Sequence, residues 1–142
     1  MIMKRQDIVV GGVLKIGAKA LVIKRSLHDQ SSVGYWEVPK GGVEFGEDPE
    51  TALKREFFEE VNLKIELGDV NKIYSHTYSR DGVDVHFWEI DFLVQLSPGE
   101  SLDNVRLSRD HDDWRMVNKE EAATLEPMYE DRKANLLSLF KS

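Results

Sequence analysis

The sequence contains no cysteine, which excludes disulfides, zinc-thiolate sites and a cysteine nucleophile. It also lacks a long apolar run: every hydrophobic stretch is short and broken by charge, so none could span a bilayer. The N-terminus, Met1-Ile2-Met3-Lys4-Arg5-Gln6-Asp7, has no apolar segment followed by a cleavage site. No secretory signal is expected there, and cytoplasmic residence is. Positive charge is in short supply: 19 Lys and Arg face 26 Asp and Glu, for a net charge of −7. That balance disfavours long nucleic acid, whose affinity comes largely from Lys and Arg on phosphate. A small anionic substrate remains open, provided that local cations or a metal ion stand at the site.

What is present is enough for a core. The chain has 142 residues, 41% hydrophobic and 32% charged, which fits one globular domain over residues 1–142. Ile8 to Ile16 and Ala20 to Lys24 have the composition of strands, and Gly17 stands near the turn between them. Ser26 to Gly34 is a polar loop. Tyr35 to Val38 forms a short strand stopped by Pro39, and Lys40-Gly41-Gly42 gives a flexible turn open to a ligand. Asp48 followed by Pro49 starts a helix that runs to about Val61, where Asn62 suits the left-handed position that ends it.

Two long strands follow, Val70 to Ser79 and Val83 to Leu96, joined at Asp81-Gly82. In the second, the alternation changes around Trp88-Glu89, which predicts a bulge. Pro98 to Arg109 is loop, with a short strand at Asn104 to Leu107, and Trp114 to Val117 is a further strand. Asn118 and Glu121 have capping-box spacing for a short helix, and a last helix covers roughly Met128 to Phe140. Strands and helices are mixed throughout, so the fold class is an α/β sandwich.

At about 100° per residue, Leu53, Phe57, Phe58 and Val61 share the core arc of the first helix. Glu56, Glu59 and Glu60 share the neighbouring arc. Carboxylates at such spacings repel, each pair costing a few tenths of a kcal/mol. Two stand near the helix C-terminus, where the dipole also disfavours them. A solvated acidic face and a magnesium or manganese site both fit this arrangement, since hard cations choose carboxylate oxygens. The helix alone does not decide between them.

The flanking residues do. Gly41, five residues, Glu47, seven residues and then Arg55-Glu56-Phe57-Phe58-Glu59-Glu60-Val61-Asn62-Leu63 resemble the Nudix box. Six fixed residues at ordinary frequencies coincide about once in 10⁷ starting points. The chain is thus identified as a member of the Nudix hydrolase family, MutT-like. It departs where the family usually has glycine and this chain has Asn62. The similarity continues upstream through Trp36-Glu37-Val38-Pro39-Lys40-Gly41-Gly42 and downstream through Asp113 to Asn118.

The resemblance implies an α/β/α sandwich whose mixed central sheet carries the box helix. It implies magnesium or manganese held by Glu56, Glu59, Glu60 and the carbonyl of Lys40. Glu47 and Arg55 are expected to pair, with Arg55 able to orient Glu59. Lys40, Gly41 and Asp113 are candidates for binding substrate. Glu56 is the first choice as general base, with Asp112 or Asp113 as alternatives, although Asp110 to Asp113 also fits a plain polar turn.

The activity implied is hydrolysis of a diphosphate bond in a small nucleoside diphosphate-linked molecule, a nucleoside triphosphate before others. Lys40 in Pro-Lys-Gly is similar to members acting on dinucleoside or inositol polyphosphates. The rival is a nucleotide-binding sensor module of the same fold without turnover. A homodimer is also compatible with the family.

Other residues carry less. His28, His76, His86 and His111 show no metal-ligand spacing and are expected to be ordinary polar or core histidines. Ser26, Ser31 and Ser32 have no G-x-S-x-G context, so serine hydrolysis has no support. Tyr35, Trp36, Tyr78 and Trp88 could stack on a base, but Trp88 is expected in the core. Lys24 and Arg25 are expected in solvent.

Overall fold

A run of β-branched and aliphatic residues at Ile8 to Leu14 forms the middle strand of the sheet. The computed structural model describes residues 3–28 and 32–140. Met1, Ile2 and part of the expected Ser26 to Gly34 loop, including Ser31, lie outside the described residues. In chain order the elements are β1 (Met3–Ile16), β2 (Lys19–Arg25), β3 (Trp36–Glu37), β4 (Lys40–Gly42), α1 (Pro49–Val61), β5 (Ile65–Arg80), β6 (Val83–Leu96), β7 (His111–Val117), α2 (Lys119–Thr124) and α3 (Glu130–Ser138). A 3-10 turn at Leu102–Asn104 interrupts the segment before β7.

β1 lies parallel to β6, from Met3 beside Val83 to Leu14 beside Val94. β5 runs antiparallel on the far side of β6, and β4 pairs antiparallel with β1 through Gly11 and Lys40. The end of β1 hands over to β2, which is flanked by β3 and β7. The sheet is therefore mixed. One face packs on α1: Val10, Leu14, Leu21, Ile23 and Val94 meet Ala52, Leu53, Phe57 and Val61. The opposite face carries Val13, Val22, Trp36 and Val38 against Ala122, Leu125, Met128 and Leu136 around α2 and α3. Full burial of Leu53 and Phe57 stabilises the seat of α1 by about 1.5–3 kcal/mol each. The helix sits so close to β1 that a Cβ on Gly12 would lie 2.6 Å from the Phe57 ring.

The helix ends are as expected. Asp48 accepts the Thr51 N–H at 2.8 Å, Pro49 opens α1, and Asn62 closes it at φ 62°, ψ 33°. Asn118 and Glu121 form the capping box of α2. Several other expectations fail, each for a physical reason.

Lys40-Gly41-Gly42 is not a turn but a strand, because β1 offers its edge there. No bulge falls at Trp88-Glu89, since the β1–β6 pairing is continuous; the shifts lie on β5, around Val70. The broken alternation in β6 arises because Glu89 and Asp91 take buried positions on the face opposite α1. Asn104 to Leu107 pairs with no strand among the described residues. Phe58 is 51% exposed, at the margin of the helix face rather than in the core. Trp88 is half-buried in a surface groove with Ile8, Ile73 and Ile90. α3 is shorter than expected, although Met128 and Phe140 still pack beside it.

Candidate active site

The Cβ direction on a helix places residues four apart on one face, and α1 uses this to aim Glu56 and Glu60 at β4 and β3. Glu60 Oε1 accepts the backbone N–H of Lys40 at 2.8 Å. Burial pushes the Glu60 carboxyl up to about 9; the Lys40 N–H opposes this, while Glu37 and Glu56 add to it. Glu56 lies directly over Gly41, where any Cβ would collide with its carboxylate. Glycine is required there by close approach rather than by a turn. Burial raises the Glu56 carboxyl, and the adjacent guanidinium of Arg55 counteracts part of that rise. Glu59 points outward with 56% of its side chain exposed, 3.5 Å from Arg55.

Arg55 is the hub of the outer side. It grips Glu47 with two bonds of 2.9 and 2.8 Å, donates to Glu56 Oε1 at 2.7 Å and reaches the Gly42 carbonyl at 3.1 Å. A planar guanidinium can serve all of these at once. The Arg55 bonds hold the Glu47 carboxyl at about 2, with a further bond from the Glu44 N–H. The expected Glu47–Arg55 pair is present.

Three residues join the site that the sequence did not place there. Glu37, on β3, is 7% exposed between the core residues Trp36 and Val38. His111, at the start of β7, is 5% exposed, and its Nε2 stands 2.8 Å from Glu37 Oε2. Arg25, at the end of β2, does not lie in solvent: it donates to both Glu37 oxygens at 3.0 and 3.1 Å. Burial alone would raise the Glu37 carboxyl, but His111, Lys40 and Arg25 outweigh it and leave it below the usual range. The one trace of this in the sequence was a charge set inside the apolar strand Trp36-Glu37-Val38. His111 shows no metal-ligand spacing in the sequence, which marks it only as an ordinary polar or core histidine.

Asp113 accepts the Trp114 N–H at 2.8 Å and faces Arg115 at 3.7 Å. Among the described residues, neither it nor the exposed Asp112 bonds to the α1 glutamates. Asp110 and His111 lead into β7, so this stretch is part strand rather than a plain turn.

The donor set suits a hard or borderline divalent cation. Ligand atoms of Glu37, Glu60 and His111 lie within 4.8 Å of one another. His111 Nδ1 is buried without a hydrogen-bond partner, 3.7 Å from Glu60 Oε2. An orphaned nitrogen beside a carboxyl whose ionisation burial opposes is an arrangement that a cation would complete.

Residues 5–140 match the family model described as NUDIX domain. Among curated proteins, the chain is 31% identical over 122 residues to an RNA pyrophosphohydrolase of Mannheimia succiniciproducens, covering 75% of this chain and 59% of that protein. It is 33% identical over 69 residues to a MutT-like protein of Streptomyces ambofaciens, covering 49% of this chain and 42% of that one. The chain thus spans about half the length of these relatives. Its fold matches the crystal structure of a MutT protein from Methanosarcina mazei Go1 with a TM-score of 0.73 at 20% identity, over 99% of this chain and 96% of that one. Fold, box geometry and family match agree, and the chain belongs to the Nudix family.

Proposed function

We propose that this protein is a divalent-metal-dependent pyrophosphohydrolase acting in the cytoplasm on small nucleoside diphosphate-linked molecules, a nucleoside triphosphate before others. The observation that carries this is the packing of Glu37, Glu60 and His111 within mutual ligand reach, with Glu56 alongside over Gly41. Glu56, Glu60 and the Lys40 carbonyl, with Glu37 and His111, are the groups that would hold the cation, and Glu59, turned outward beside Arg55, would have to swing in to join them. A divalent cation there would supply charge that neutralises phosphate oxygens and makes an attacking water more acidic.

The chain's own residues do the rest. Arg55 occupies Glu56 Oε1 and leaves Oε2 to take the proton of the attacking water. Glu47 keeps Arg55 in place for this. The Lys40 ammonium, 29% exposed, offers a positive charge to the phosphates. Several of the curated relatives are named RNA pyrophosphohydrolases, which supports the bond class. The net charge of −7 argues for a free nucleotide over an RNA end.

The test is incubation with magnesium and a panel of nucleoside triphosphates, nucleotide sugars, dinucleoside polyphosphates and a 5′-triphosphorylated RNA oligomer. Turnover should vanish with chelator and fall at least about a hundredfold in Glu60→Gln. A wild type as silent as the mutant across the panel would sink the enzyme assignment. Binding without cleavage would favour the sensor module.

A further inference from the structure

A second buried charge cluster lies on the face of β6 away from α1. Glu89 and Asp91 are 1% and 0% exposed, and Arg132 of α3 is 5% exposed. Arg132 bonds Glu89 through one nitrogen, donates to Asp91 Oδ2 at 2.8 Å through another, and reaches the Tyr74 hydroxyl at 3.2 Å. Asn135 donates to the same Asp91 oxygen at 2.7 Å and accepts from Asn71 at 2.6 Å. Two carboxylates thus share one guanidinium, and Asp91 Oδ1 is buried without a hydrogen bond.

Such a cluster is a poor device for stability. Replacing a buried ion pair by apolar side chains of like volume is often neutral or stabilising. Its position suggests another use. Glu89 Oε1, turned away from Arg132, stands 3.6 Å from the ammonium of Lys40. The backbone of that same Lys40 is bonded to Glu60. Lys40, Glu37, Glu89 and Arg132 line one cavity of about 350 Å³. A lysine side chain is a point charge on a flexible stem and loses rotamer freedom when ordered. A fixed carboxylate beside it meets part of that cost before substrate arrives.

We propose that Arg132 and Glu89 are positioning residues: Arg132 fixes the Glu89 carboxylate, and Glu89 holds the Lys40 ammonium over the cavity for the substrate's phosphates. This rests on Lys40 as a phosphate contact, part of the function proposed above. Arg132 touches no reacting group itself. It acts from α3 through β6 upon β4.

The experiment is a double-mutant cycle read by calorimetry, with inorganic pyrophosphate and magnesium as the probe. Glu89→Gln keeps the shape and a bond to Arg132 but removes the charge that holds Lys40. It should weaken pyrophosphate about fivefold to tenfold in the wild-type background, a usual coupling for touching charged groups, and less than about twofold in Lys40→Met. Arg132→Lys keeps the charge but not the fork, and the same cycle run with it covers a Glu89 variant that fails to fold. Equal weakening in both Lys40 backgrounds would mean a merely structural cluster and would overturn the proposal, as would a wild type that binds no pyrophosphate. A wild type that binds pyrophosphate yet cleaves no nucleotide would refute the hydrolase function while the cycle still decided the positioning role.

Discussion

Glu56 occupies space that any side chain on residue 41 would need, so the two positions are coupled through sterics alone. Gly41→Ala should push the Glu56 carboxylate away from Oε contact with Arg55. Overpacking of this kind costs about 1–3 kcal/mol in stability, which the fold should survive. A displacement of about 1 Å at a catalytic group lowers turnover on the order of a hundredfold, so kinetics should suffer far more than melting. A variant with near wild-type turnover would remove Glu56 from the chemistry.

Glu47 gives a pH-dependent prediction. Its carboxyl falls from 4.5 to about 2 on folding, chiefly through its bonds to Arg55. A depressed folded value means stability that is present above about pH 4.5 and lost as pH falls towards 2. The gap in melting temperature between wild type and Glu47→Gln should therefore be constant at neutral pH and close as pH drops through that window. A gap independent of pH would show that the pair contributes nothing as charge.

At the scale of elements, α1 was legible almost to the residue because its signals are local. Asp48, Pro49 and Asn62 are neighbours of the turns they cap, and the glutamates and core residues separate by helical arithmetic. β3 and the start of β7 were not legible in their role. Glu37 and His111 are buried because β2 brings β3 to one of its edges and β7 to the other, a meeting of residues 74 positions apart. No local pattern encodes that. The bulge misplaced onto β6 fails for the same reason, since the partner that buries Glu89 and Asp91 is a helix formed near residue 132.

Asn62 tests the cap itself. It sits at φ 62° and donates from its side chain to the Asn104 carbonyl at 2.9 Å. Asn62→Ala loses that bond and meets the left-handed penalty, together about 1.5–3.5 kcal/mol. Asn62→Gly loses the bond but relaxes the backbone, so its net change should stay within about 1 kcal/mol. Urea unfolding separates the two; equal losses would mean that the backbone conformation matters little.

For the molecule as a whole, a cation that binds only the folded state adds stability with concentration, about 2.7 kcal/mol at a hundredfold excess over its dissociation constant. Magnesium should raise the melting temperature of the wild type and leave Glu60→Gln nearly unmoved. Identical melting with magnesium and with chelator would speak against a metal centre on α1.

β1 and β6 carry a further consequence. Met3 lies beside Val83 and Leu14 beside Val94, so the central parallel pairing joins segments some eighty positions apart. α1 packs on Gly12 of one strand and Val94 of the other. A nascent chain that has emerged only as far as the start of β6 therefore has β1 and β2 beneath α1 but lacks the strip around Val94 that completes the floor. Long-range parallel pairing is slow to form. The glutamate-bearing helix, though written early in the chain, completes its seat only when β6 pairs with β1, and refolding should be slow for a chain of this length.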